Sequence, residues 1–104
     1  MTLKLKPDAT FKAKVSVPVH GGGAEEVEFT FRHRARAELN EWLKQEGHEE
    51  RGDIDAVLDV ATGWELQDEF NRDNVALLLE DYMGAGKAVL EKYLSELAQA
   101  RLGN

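Results

Sequence analysis

At 104 residues the chain is sized for one domain, whose core buries roughly two-thirds of the surface exposed by the unfolded chain. It contains no cysteine, which excludes disulfides and thiolate metal sites and suits a reducing compartment. Net charge is −7, but residues 1–36 carry seven Lys/Arg against four Asp/Glu and residues 37–104 carry six against sixteen, so the larger part repels nucleic acid.

No leader-like apolar run opens the chain, and nowhere do about 18 apolar residues follow one another, so a cytoplasmic protein is expected. Residues 1–9 are expected to be flexible or a short strand. From Thr10 the pattern alternates, with Phe11, Ala13, Val15, Val17 and Val19 on one face and Lys12, Lys14 and Ser16 on the other. Pro18 cannot donate to a ladder and favours an edge or a strand end. Glycines 21–23 then allow a turn, and Val27, Phe29 and Phe31 resume the alternation, which predicts a β-hairpin over residues 10–33. Lys12 and Lys14 are expected across from Glu26 and Glu28.

Residues 34–104 read as helical. Ala35, Leu39, Trp42 and Leu43 share a stripe that Gly47 terminates. Asp53 is expected to cap a short helix carrying Ile54, Val57, Leu58 and Ala61 inward and ending at Gly63. Asn71 is expected to cap a third helix with Val75, Leu78, Leu79 and Tyr82 inward. After glycines 84 and 86 a long helix reaches about Leu102, with Ala85, Val89, Tyr93, Leu97 and Ala100 facing in, Leu90 and Leu94 widening the stripe, and Gly103 closing it. The predicted fold is α+β: an N-terminal β-hairpin packed on a C-terminal bundle of about four helices in a single small domain, 1–104.

Motifs that would carry chemistry fail on inspection. Gly84-Ala85-Gly86-Lys87 hints at a phosphate loop, yet the magnesium-binding hydroxyl is replaced by Ala88, the first glycine by Asp81, and the preceding segment reads as helix rather than strand. His20, His33 and His48 are scattered without ligand spacing. Asp53, Asp55 and Asp59 lack the glycine and closing glutamate of a calcium loop and read as a cap with its solvated face. Arg51-Gly52-Asp53 is a chance tripeptide on a chain with no export signal, and Leu78 and Leu79 at helical spacing are core before they are a docking box. No catalytic residue, metal, nucleotide or other cofactor is expected.

Three stretches, "LKLKPDATFKAKVSVPVHGG", "EFTFRHRARAELNEWL" and "DVATGWELQDEFNRDNVALLLEDYMGAGKAVLEKYLSELAQAR", together resemble the tail assembly chaperones of long-tailed bacteriophages and prophages. The likeness includes Gly63-Trp64, an acidic stretch through Asp68, a helix opened by "FNRDN", Tyr82 before a small-residue turn, and Tyr93; Met83 stands where relatives often carry proline. The resemblance implies a non-enzymatic role in the host cytoplasm, holding the helix-rich tape measure protein soluble while tail tube subunits polymerise, and absence from the mature virion. The partners expected are the tape measure and tail tube proteins, with self-association a further expectation and no nucleic acid or membrane. Leu90, Tyr93, Leu94 and Leu97 are the expected partner-binding residues, because the final stripe is broader than one hairpin face needs. The competing reading is a small acidic prophage or bacterial adaptor or inhibitor docking on one folded partner.

Overall fold

The computed structural model describes residues 5–44 and 52–102, the last four of these as backbone only. Two ten-residue strands, β1 (Thr10–Val19) and β2 (Gly23–Arg32), pair antiparallel from Thr10 opposite Arg32 to Val19 opposite Gly23. The turn between them bends through Gly21 and Gly22 at φ 92° and 94°, a region that L side chains rarely enter. Lys14 faces Glu28 as expected, whereas Lys12 lies opposite Thr30 and Glu26 opposite Ser16.

Among the described residues four helices follow, as expected: α1 (Arg36–Lys44), α2 (Asp53–Val60), α3 (Arg72–Asp81) and α4 (Ala85–Leu102). The start of α1 is held by Glu38, whose Oε1 accepts from the Ala35 N–H at 3.0 Å, the reciprocal half of a capping box. Asn71 caps α3, its side chain accepting from the Asn74 N–H at 2.8 Å. Asp53 is not a cap. Gly52 precedes α2 with no side-chain cap, and Asp53 is the first helical residue, where its charge still suits the positive helix end.

The helix expected to run to Gly63 instead stops at Val60, and Ala61–Trp64 form a third strand, β3, antiparallel to β2, in a sheet of order β1-β2-β3. Phe29 pairs with Trp64, Thr30 with Gly63 and Phe31 with Ala61, so Thr62 is the extra residue of a bulge. Ala61 stays on the inner side either way, since the helix stripe and the strand face both put it there. What changes is the backbone: β2 has peptide groups on the side away from β1 to satisfy, and Thr62 and Trp64 suit a pleated strand better than a helix end.

The inner face of the sheet carries Ala13, Val15, Val17, Phe29 and Phe31, all buried, and α4 crosses β1 on that face while packing on α2. Leu39, Trp42, Val57, Val60, Val75, Ala85, Val89, Tyr93 and Leu97 complete the core. Ala35 and Leu43 of the expected first stripe are exposed. Gly47, His48, Arg51 and Gly103 lie outside the described residues, as does the side chain of Ala100.

Phe29 is fully buried between Phe31, at 6.0 Å between ring centroids, and Trp64, edge-on at 5.9 Å. Phe29→Ala is expected to destabilise the fold by about 3–5 kcal/mol, read as a lower midpoint in denaturant with an unchanged slope.

Candidate functional site

The four residues expected to bind a partner do not share one surface. Tyr93 is fully buried and Leu97 is 5% exposed, both in the core; Leu90 is half-buried against it, and Leu94, at 36%, is exposed. The breadth of the stripe is accounted for by what α4 touches, since the sheet lies on one side of it and α2 and α3 on others. Three covers need a wider apolar arc than one.

Tyr93 is tied down by a residue the sequence reading did not single out. Arg34 donates from Nη1 to the Tyr93 hydroxyl at 2.7 Å and from Nη2 to the Asp59 carbonyl at 3.2 Å, with its guanidinium 4.9 Å from the centroid of the Trp42 ring. Trp42 in turn donates from Nε1 to Asp59 Oδ2 at 3.2 Å. Asp59 is therefore an internal brace rather than part of a solvated acidic face. Burial pushes the Tyr93 hydroxyl above the usual tyrosine pKa, and the Arg34 hydrogen bond and charge offset part of that rise.

The Gly-Ala-Gly-Lys segment has a steric explanation. A Cβ on Gly84 would stand 3.0 Å from Cγ of Pro18, and one on Gly86 would stand 3.3 Å from Cβ and Oδ2 of Asp53. The glycines let the start of α4 approach the hairpin and α2, and neither needs a positive φ. A carboxylate thus lies beside the first turn of α4 where a phosphate loop would hold its anion, α3 and not a strand precedes the turn, and Lys87 is exposed.

The concave surface lies elsewhere, at the hairpin's distal end. Here α3 packs on α2 and α4, leaving a groove of about 720 Å³ between it and the inner face of the sheet. Val17, Val19 and Val27 form the sheet wall, Asn74, Leu77, Leu78, Asp81 and Tyr82 the helix wall, and the segment from Trp64 to Asp68 closes one end. Asn74, Leu77, Leu78 and Asp81 recur at i, i+3, i+4 and i+7, so one face of α3 lines the groove. Leu77 is 60% exposed, an apolar side chain left in solvent beside other apolar groups. The rim is acidic: Glu25, Glu26, Glu65, Asp68 and Asp81 line it, and among the described residues no Lys or Arg does.

The groove keeps its shape because its ends are fastened. Trp64 stands edge-on to Phe29 and Phe70, at 5.9 and 5.1 Å, and donates from Nε1 to the Asp68 carbonyl at 2.8 Å. Asn74 holds the following loop through a 2.7 Å bond from Nδ2 to the Glu69 carbonyl. His20 stacks on Tyr82 at 5.8 Å, and Arg72 on α3 meets Asp55 on α2 at 2.7 Å. Sequence reading missed this site because its parts come from three separate segments; the signal available was Leu77, one leucine more than the inward face of α3 requires.

Among the described residues no cluster of His, Asp or Glu is placed to hold a metal ion, and no helix is long and apolar enough to cross a membrane. The described residues thus form an acidic α+β domain with an open groove walled in part by apolar side chains. The chain is a member of the phage tail assembly chaperone family, whose sequence model matches residues 1–104, its whole length. Its partners are accordingly phage tail proteins. No curated protein and no solved structure matches it.

Two measurements check these assignments. Gly84→Ala is expected to lower stability by about 1–3 kcal/mol, because the rigid Pro18 ring cannot turn aside, while millimolar ATP with magnesium leaves the melting temperature of the wild type unchanged. With its pKa raised by folding, Tyr93 contributes fully below about pH 10, the unfolded value, and that contribution is lost as pH rises through the folded value. Tyr93→Phe is therefore expected to lose less stability than wild type over that alkaline range, as followed by denaturant titration at each pH.

Proposed function

We propose that this protein is a tail assembly chaperone that keeps the tape measure protein in solution while tail tube subunits polymerise around it. It acts by binding and not by catalysis, in the cytoplasm of the bacterial host, and departs before the virion is complete. Family membership supports tail proteins as the partners. The observation that carries the reading for this chain is the groove between α3 and the distal sheet: an apolar trough with Leu77 in solvent, ringed by five carboxylates.

Each part of that surface has a physical use. A long partner with exposed apolar stripes aggregates unless they are covered, and Val27, Leu77 and Leu78 provide cover of the same character. The carboxylates keep the chaperone itself soluble and favour the approach of segments carrying Lys or Arg. Exposed ion pairs contribute only about 0–1 kcal/mol each and are screened by salt, so apolar contact holds the complex and charge tunes the encounter.

Co-expression with the tape measure protein of the same genome tests this reading. Wild type is expected to move the tape measure protein into the soluble fraction and to be pulled down with it at high salt. Leu77→Asp, at a position 60% exposed where the fold is expected to be retained, is expected to lose both. A tape measure protein equally soluble with and without this chain would remove the chaperone reading altogether.

A further inference from the structure

The geometry points to β-strand addition: the distal edge of β2 receives an extended, basic segment of a partner chain as a fourth strand, whose apolar side chains fill the groove beneath. This rests on the reading of the groove as the binding surface and names the form and chemistry of what enters it.

The direction of the peptide groups along β2 comes from Glu28. Its N–H donates to the Glu65 carboxylate and its carbonyl accepts from the Glu65 N–H at 3.0 Å, so both groups point away from β1. Backbone groups alternate in direction along an antiparallel strand, which turns those of Ala24 and Glu26 to the same side. Pro18 provides an independent check, because it lies opposite Ala24 and, having no N–H, fits only a pair that exchanges no hydrogen bonds. Yet β3 pairs only with Phe29 to Phe31, and past Glu65 the chain turns off along the end of the groove. The N–H and C=O groups of Ala24 and Glu26 therefore face outward in line with β3, and no strand of the described residues lies beside them.

The two edges of the sheet are treated differently. The outer edge of β1 is blunted by Pro18 and flanked by Lys12 and Lys14, which is how proteins discourage unwanted strand pairing. The open stretch of β2 has no proline and its charges are all negative, Glu25 and Glu26, with Glu28, Glu65 and Asp68 close by, so the partners it discourages are acidic ones. A second copy would bring the same carboxylates against these, so self-pairing is disfavoured. A basic strand is favoured, and the pleat sets its pattern. Residues on its inner face meet Val27, Leu77 and Leu78, with Glu25 on that face nearer the turn, while those on its outer face stand beside Glu26 and Glu28, which calls for apolar residues alternating with Lys or Arg.

A helix would also fill the groove, but it satisfies its own peptide groups and leaves Ala24 and Glu26 unpaired. Titration of isotope-labelled protein with an alternating Lys-Val peptide of about seven residues, some 23 Å when extended, separates the two. Amide shifts are expected at Ala24, Glu26, Leu77 and Tyr82, with affinity about tenfold higher at low salt than for the Glu-Val isomer. N-methylation of the peptide at its edge-facing residues is expected to weaken binding at least about tenfold, since it removes main-chain donors and leaves the side chains. Glu26→Pro, which deletes a solvent-facing N–H and is expected to melt near wild type, should abolish binding, whereas Glu26→Gln should only weaken it. Absence of binding, equal binding of the N-methylated peptide or of the Glu-Val isomer, or shifts centred on Leu94 would each overturn strand addition. None of these results bears on whether the protein solubilises a tape measure protein, so the two readings fail separately.

Discussion

The ring of Tyr93 joins parts of the chain that are far apart in sequence, and the rest of the structure is arranged around it. One side lies against Phe31, 5.6 Å between centroids, and Phe11, at 6.3 Å; Trp42 stands edge-on at 6.1 Å. Its hydroxyl reaches the partly buried edge of the core and needs a partner, which Arg34 supplies while also binding the end of α2 through the Asp59 carbonyl. A buried hydroxyl without that donor would cost about 1–3 kcal/mol, so sheet, α1, α2 and α4 are obliged to meet in one register. Hydrophobic burial makes the core; the Arg34 bonds define how its pieces fit.

With α4 lying along β1, from Gly84 beside Pro18 to Tyr93 beside Phe11, only α3 remains to face the distal part of β2, and it is held by its packing on α2 and α4 and by Arg72 bound to Asp55. The groove follows from that shortage of cover. Both hairpin strands are ten residues long while β3 is four, so the sheet has an inner face without a helix over it and an edge without a strand beside it in the same place. In a self-sufficient domain such a gap would be a defect. In a tail assembly chaperone, it is the surface proposed above to receive a partner chain.

The acidic character has a second consequence there. Carboxylates around an apolar trough limit association between copies and leave it open to segments of opposite charge, so solubility and selectivity share one set of residues. Exposed pairs of this kind contribute little to affinity and much to rate, which suits the transient binding proposed above.

Much of this was legible in the amino-acid order. Period-two alternation in Phe11 to Val19 and Val27 to Phe31 could only be a half-buried hairpin, Asn71 could be recognised as a cap, and Ala85, Val89, Tyr93 and Leu97 marked the inward face of α4, because local periodicity and capping chemistry depend on neighbours in sequence. Tertiary structure alone decided the rest. Ala61 to Trp64 became a strand because β2, some thirty residues earlier, had peptide groups to pair. Leu90 and Leu94 were separated from Tyr93 and Leu97 by how much of α4 the sheet and α2 cover, and Leu77 was set apart from Leu78 and Leu79 by a helix standing off a sheet. A stripe of leucines looks the same whether it meets its own core or awaits another chain, and only the positions of the other elements tell the two apart.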